Sequence, residues 1–347
     1  MWRRLLIALA CLLLAGAGAA AFVWQELLAR LDAPHPGIAD TGVFVDVEPG
    51  DSVRVIASRL AAAGVVADEW LFRFAVRRSG RDRELQAGEY FFDAPLSPLA
   101  AVTKIADGRV HLRPITFPEG LTLSEMAAVV EAKGFGSAAA FAAAASRPAL
   151  IADVDPDATD LEGYLFPETY SLPRAATVGD LVAAMVAQFR RVFDEGLRAR
   201  ATELGLSVRE AVTLASIIQR EAGNEAEHAL VSAVFNNRLR IGMPLQSDPT
   251  VIYALERAGA YDGNLTRSNM QVDSPYNTYR YGGLPPGPIA APGRDVLLAA
   301  LEPADATYLY FVSRNDGTHA FANTLREHNR NVREFQVEFF RRRRAGG

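Results

Sequence analysis

An uninterrupted apolar run from Leu5 to Trp24, preceded by Arg3 and Arg4, constrains this chain more than any other feature. Roughly 20 residues at ~1.5 Å each span a hydrocarbon core of ~30 Å. The basic pair lies on the short side. The positive-inside rule then keeps the N-terminus in the cytoplasm and places everything after Trp24 on the far side. A cleaved signal peptide is the alternative, because Ala17-Gly18-Ala19 and Ala19-Ala20-Ala21 both suit a small-residue cleavage site. Continuation of the run through Phe22-Val23-Trp24 favours the anchor. Both readings put the remainder outside the cytoplasm. Cys11 has too short an apolar segment before it for a lipidation signal and reads as an ordinary membrane residue.

The remainder is long enough for more than one domain within 347 residues. A net charge of −5 provides no basic field for nucleic acid, so no nucleic-acid partner is expected. A single cysteine excludes an internal disulfide and a thiolate metal cluster. The histidines His35, His111, His228, His319 and His328 lack paired ligand spacing, so neither metal nor other cofactor is expected. The run Arg341-Arg342-Arg343-Arg344 reads as a solvated tail.

Local patterns order the rest of the chain. Gln25 to Thr41, with Pro34 and Pro36, reads as a linker. Val43, Val45 and Val47 recur at the strand period, and Ser52 opens an amphipathic helix closed by Gly64. Asp68 opens a second helix, Tyr90-Phe91-Phe92 is a strand, Ser97-Pro98 starts a further helix, and Val110 to Phe117 is a strand. The succession Gly50, Ser52, Ile56-Ala57, Leu60, Gly64 recurs at constant offset as Gly120, Thr122, Met126-Ala127, Val130, Gly134. Two related small modules account for this, as does the general likeness of capped helices. Ser137 to Ala145 reads as an Ala-rich helix, and Asp153 to Asp160 as a polar loop.

Ser207-Val-Arg-Glu210 is a capping box, and Gly223 is expected to close the helix it opens. Val208, Ala211, Val212, Leu214, Ala215 and Ile218 form its apolar face, with Arg209, Ser216 and Arg220 pointing away. Glu221 falls beside the apolar face, in the last turn. Desolvation and the helix macrodipole both raise a carboxyl pKa there, which suits a general acid near neutral pH. A surface glutamate paired with a neighbour fits the helix pattern as well. Glu225 and Glu227 read as solvated residues opening the next helix, from about Ala226 to Ile241. Arg238 on that helix suits a carboxylate ligand or a structural ion pair. Asp248 caps a following helix or faces a groove. The loop from Ser274 through Tyr279 to Ile289, rich in Gly and Pro, suits either sugar binding or a structural turn. No G-x-S-x-G elbow or phosphate loop is present in suitable context.

Taken in order, these segments resemble the YceG-like (MltG) endolytic murein transglycosylases over nearly the whole chain. The matching stretches are Leu161-Glu-Gly-Tyr-Leu-Phe-Pro-Glu-Thr-Tyr170, Leu214-Ala-Ser-Ile-Ile-Gln-Arg-Glu221, Val234-Phe-Asn-Asn-Arg-Leu239 and Leu245-Gln-Ser-Asp-Pro-Thr-Val-Ile-Tyr253. Tyr276-Asn-Thr-Tyr279, Gly283-Leu-Pro-Pro-Gly-Pro-Ile289, His319-Ala-Phe321 and Glu327-His-Asn329 follow. Gln219, Glu168 and Ala322 depart from the residues usual in the family.

The resemblance implies Glu221 as the catalytic carboxylate, cleavage of the MurNAc-β-1,4-GlcNAc bond, and 1,6-anhydro product ends. Gln246, Asp248, Asn277 and Tyr279 are the expected substrate-binding residues. The expected fold is α+β. A transmembrane anchor (1–25) and linker (26–42) precede a LysM-like module (43–110), a mixed YceG-like catalytic domain (111–340) and a basic tail (341–347). Expected partners are glycan strands, the membrane and peptidoglycan synthases. The expected location is the inner membrane, single-pass, with the catalytic region in the periplasm. A hydrolase of the same bond would need Glu168 or Asp248 to face Glu221. A non-catalytic peptidoglycan-binding scaffold would need no such geometry.

Overall fold

The structure is a computed structural model and describes residues 2–39 and 41–341. Of the expected basic tail, 342–347 lie outside the described residues. The chain divides into two compact units, residues 1–113 with 171–176 and residues 114–170 with 177–347.

In the first unit, helix α1 (Trp2–Asp32) is exposed along its apolar part and is long and apolar enough to cross a membrane. It does not stop at Trp24. The pattern changes there to Gln25-Glu26 followed by Leu27, Leu28 and Leu31, and these three leucines pack into the core of the unit. The first part of the segment expected as a linker is therefore the end of a helix, held by apolar burial. Strand β1 (Val43–Val47) pairs antiparallel with β2 (Gly88–Phe92), with Val45 opposite Tyr90. Between them lie α2 (Val53–Ala62), capped by Ser52, and α3 (Glu69–Ser79), capped by Asp68. α4 (Pro98–Ala106) closes the core over Tyr90 and Phe92. The hydroxyl of Tyr90, a fully buried side chain, donates to the carbonyl of Gln86, which offsets the cost of burying it.

That order recurs in the next stretch of the chain. Strand β3 (Leu112–Thr116), α5 (Leu123–Ala132), α6 (Ala138–Ala145) and β4 (Thr169–Pro173) form another strand-helix-helix-strand succession, and β3 pairs with β4. Ser52 and Thr122 cap equivalent helices by accepting backbone N–H bonds. Gly64 and Gly134 end them at φ of 73° and 68°, where a Cβ is strained. The recurrence in the sequence thus corresponds to a repeated supersecondary unit.

Then follow α7 (Val178–Val192), α8 (Glu195–Glu203), α9 (Val208–Glu221), α10 (His228–Arg240), α11 (Asp248–Arg257) and α12 (Arg294–Leu301). An antiparallel hairpin of β5 (Tyr310–Ser313) and β6 (His319–Ala322) precedes α13 (Leu325–Val332) and a π-helical stretch, Arg333–Glu338. Helix α9 packs against α8, α10, α11 and α12. Its middle, Ala211 to Ile218, is buried on every side. Ser216, expected on the polar side, is therefore fully buried. Its hydroxyl donates to the Thr213 carbonyl and accepts from the Ile289 N–H. The end of α9 also differs from expectation. Gly223 is not left-handed; Ala222 leaves in an extended conformation, so the chain turns directly away from Glu221.

Candidate active site

Glu221 is the last residue of α9 and lines a cavity of about 290 Å³. Arg238, Leu245, Gln246, Asp248, Tyr279 and residues of β5 and α13 complete the wall. The buried body of α9 fixes the helix, and the sharp exit at Ala222 leaves the carboxyl at the cavity edge of the core. Glu221 Oε1 accepts a 2.6 Å hydrogen bond from the hydroxyl of Ser247, itself buried. Burial pushes the carboxyl up to about 7, and nearby Asp248 adds to the rise. The Ser247 bond and the Arg238 charge oppose it. A carboxyl so poised can give and take a proton near neutral pH.

Ser247 is held by a small hydroxyl network. Its N–H donates to Thr278 Oγ1, its carbonyl accepts from Thr250 Oγ1, and the two threonine hydroxyls are 2.9 Å apart. Gln246, just before it, has φ of 50°, an uncommon backbone for a side chain larger than glycine. That conformation lets Gln246 line the cavity while Ser247 points inward.

Asp248 Oδ1 accepts a 2.6 Å bond from the Tyr279 hydroxyl, so Asp248 is tied to the cavity wall and does not cap α11. Burial, then the bond to Asp248, pushes the Tyr279 hydroxyl well up and keeps it a donor. Asn277 does not line this cavity. It is fully buried, its amide donates to the carbonyls of Met270 and Val272, and its Oδ1 accepts from the Tyr279 N–H. The side chain fixes the loop that presents Tyr279. Glu168 is exposed and is not part of the wall.

Arg238 makes no ion pair with a carboxylate among the described residues. Its guanidinium donates to the carbonyls of Leu309 and Leu245 and lies 5.4 Å from the Tyr310 ring centre. It spans the cavity floor and brings a positive charge near Glu221. His328, in the Glu327-His-Asn329 stretch, stacks on Tyr310 at 5.2 Å. Burial, with Arg238 nearby, holds its imidazole below its ordinary value and so neutral. Pattern reasoning did not single out Ser247 or His328. Both lie inside quoted motifs, one between Gln246 and Asp248 and the other beside Asn329, and that position was the available signal.

Two further carboxylates are buried outside the Glu221 cavity. Glu227, expected in solvent, is buried and accepts from the His319 N–H at 2.9 Å, with His319 Nδ1 2.7 Å from its other oxygen. Glu162 is buried, accepts from the Leu123 N–H and the Tyr253 hydroxyl, and is pushed up to about 8 by burial. The Gly283–Ile289 loop packs on α9, where the Ile289 N–H donates to the Ser216 hydroxyl at 3.0 Å, and Pro288 lies so close to Gly163 that a Cβ there would meet it at 2.5 Å. This loop does not line the Glu221 cavity. Among the described residues no cluster of His, Cys, Asp and Glu is arranged to hold a metal ion.

The model of the YceG-like family matches residues 45–334. An endolytic murein transglycosylase of Bacillus subtilis is 34% identical over 306 residues, covering 84% of this chain and 84% of that protein. An endolytic murein transglycosylase of Streptococcus pneumoniae is 30% identical over 327 residues, covering 84% of this chain and 58% of that protein. The crystal structure of a yceG-like protein from Listeria monocytogenes superposes with a TM-score of 0.58 at 30% identity, covering 84% of this chain and 99% of that one.

Proposed function

The chain belongs to the YceG-like family, and from that premise we propose that it is an endolytic peptidoglycan lytic transglycosylase with Glu221 as its catalytic carboxylate. The observation that carries this reading is the position of Glu221. It is one carboxyl held near neutral pKa by burial, gripped by Ser247, at the wall of a polar and aromatic cavity.

The reaction follows from that carboxyl. Protonated Glu221 gives its proton to the glycosidic oxygen of the MurNAc-β-1,4-GlcNAc bond as the bond to C1 breaks. The resulting carboxylate takes the proton from the C6 hydroxyl of the same muramic acid. That oxygen closes on C1, leaving a 1,6-anhydro end and restoring Glu221 to its starting state. Arg238 and Asp248, of opposite charge, both act on the Glu221 carboxylate. Their balance keeps either protonation state accessible. Gln246, Asp248 and Tyr279 line the cavity and are assigned to hold sugar hydroxyls and acetamides. Asn277 is assigned to position Tyr279.

One observation favours a second reading. Asp248 is another carboxylate in the Glu221 cavity, as a hydrolase of the same bond would require. Product chemistry separates the two. Mass spectrometry of purified glycan strands treated with the protein is expected to show anhydro-ended fragments that the Glu221→Gln variant does not make. Reducing ends would establish hydrolysis, and equal products from the variant would remove Glu221 from the reaction.

Helix α1 is assigned as a single-pass anchor in the inner membrane, with the rest of the chain in the periplasm. Its apolar length and the Arg3-Arg4 pair support this placement. Residues 43–110 are assigned as a LysM-like module, supported by the small β1-α2-α3-β2 unit with its own core. Cutting nascent strands internally limits their length. Peptidoglycan synthases are the partners such a role implies.

A further inference from the structure

The outward face of α3 carries Trp70, Arg73, Phe74 and Arg77 at i, i+3, i+4 and i+7, a single stripe along the helix. The opposite face, Leu71, Phe72, Ala75 and Val76, is buried in the core of the first unit. Of the outward stripe Phe74 is half-buried against the edge of that core, whereas Trp70, Arg73 and Arg77 are exposed. Trp70 is 55% exposed and stacks flat on Phe74 at 5.5 Å. Arg54, at the start of α2, joins Arg73 and Arg77 around a groove of about 610 Å³ floored by Trp70, Phe74 and Val76. Asp82 is the acidic residue of that wall, and none of the three arginines forms a salt bridge among the described residues.

What lies at this groove is fixed by α1. Phe74 meets Trp24 edge-to-face at 6.0 Å, and Trp24 ends the apolar run. Beyond Trp24 the same helix enters the core of the unit through Leu27, Leu28 and Leu31, so the unit is attached to the anchor without a flexible joint there. Twenty residues of helix from Leu5 to Trp24 measure about 30 Å, the hydrocarbon thickness. Trp24 thus marks the depth at which hydrocarbon gives way to headgroups, and Trp70 and Phe74 stand beside it. Tryptophan prefers that depth, and arginine there meets lipid phosphate.

We propose that the α3 face, Trp70, Phe74, Arg73 and Arg77 with Arg54, docks on the headgroup layer of an anionic bilayer. The inference rests on α1 being a membrane anchor. It adds that the first unit lies against the bilayer surface on a defined face. Aromatic rings enter the interface next to Trp24, and the guanidinium groups bind phosphate.

The test uses the full chain in vesicles containing phosphatidylglycerol and lipids brominated near the headgroup end of the acyl chain. Each tryptophan's quenching is read separately. The Trp2→Phe/Trp24→Phe variant leaves Trp70 as the emitter, and Trp2→Phe/Trp70→Phe leaves Trp24. Both are expected to be quenched. Reversing Arg54, Arg73 and Arg77 to Glu is expected to abolish Trp70 quenching while leaving that of Trp24. All three arginines are exposed, so circular dichroism and thermal unfolding of the triple variant are expected to match wild type. Quenched Trp24 with Trp70 emitting as in water would overturn the docking face and leave the anchor standing. Unquenched Trp24 would overturn the anchor and the docking with it. Trp70 quenching that is unchanged by the charge reversal, or in vesicles of phosphatidylcholine alone, would overturn the phosphate contacts.

Discussion

The Ser247 hydroxyl donates to Glu221 Oε1 at 2.6 Å, and this bond opposes the burial that pushes the carboxyl up to about 7. Ser247 and Asp248, adjacent in the chain, therefore act on Glu221 with opposite sign. Proton donation to the glycosidic oxygen needs the neutral carboxyl, so the rate is expected to fall as pH rises through about 7. Ser247→Ala removes a donor that favours the carboxylate, and its alkaline limb is expected to move to higher pH. Asp248→Asn removes a like charge, and its limb is expected to move to lower pH. Profiles of kcat against pH on isolated glycan strands check both. Limbs that move in the same direction would sink this account of the site.

The same carboxyl makes stability depend on pH. Its folded pKa lies above its ordinary value of 4.5, so its contribution is complete below that value and is lost as pH rises through about 7. Glutamine keeps the acceptor for Ser247 and does not ionise. Glu221→Gln is expected to unfold at the same temperature as wild type near pH 4. At about pH 8 the variant is expected to be more stable, by on the order of 1–3 kcal/mol. Thermal unfolding of both proteins across that range is the measurement. A variant less stable than wild type at the alkaline end would contradict a desolvated Glu221.

Glu162 separates a raised carboxyl in the core from one at the reaction site. It too is pushed up by burial, to about 8, but its oxygens are taken by the Leu123 N–H and the Tyr253 hydroxyl. Glu162→Ala strands both donors, and a loss of about 2–4 kcal/mol is expected, combining unsatisfied polar groups with a small cavity. The fraction that remains folded is expected to turn over at the wild-type kcat. Denaturant unfolding with active-fraction-corrected kinetics tests this, and a large fall in kcat would bring Glu162 into the chemistry.

Much of the local structure was legible because short-range physics fixes it. Ser52, Asp68, Ser97, Thr122 and Ser207 cap the helices that their spacing announced, and the alternation of Val43, Val45 and Val47 is strand β1. What periodicity missed depends on partners distant in sequence. Ser216 reads as polar and exposed on a helical wheel, yet other elements cover that side of α9 and the Ile289 N–H supplies its partner. Glu227 reads as a solvated charge until the β5-β6 hairpin brings His319 to it. Asn277 reads as a groove residue because amides suit sugars, but its amide is spent on the Met270 and Val272 carbonyls. Glu221 itself was only one option on the wheel. Family resemblance selected it, and the burial of α9 supplies the physical reason for its raised pKa.

Asn277 and Tyr279 are neighbours in one loop with different work, and kinetics should separate them. Asn277→Ala leaves two half-buried carbonyls and the Tyr279 N–H without their partners and frees the turn that sets Tyr279, so a loss of about 1–3 kcal/mol is expected. Tyr279→Phe keeps the ring and deletes only the donor to Asp248. Its effect on unfolding is expected to be small, because that bond lies at an open cavity where water replaces it. Asp248 would then present an additional unpaired oxygen to the sugar, and KM is expected to change by more than the melting temperature does. Assays well below the unfolding transition are expected to give Asn277→Ala a near-normal KM and Tyr279→Phe an altered one. The reverse pattern would move Asn277 into the binding surface and leave Tyr279 as scaffold.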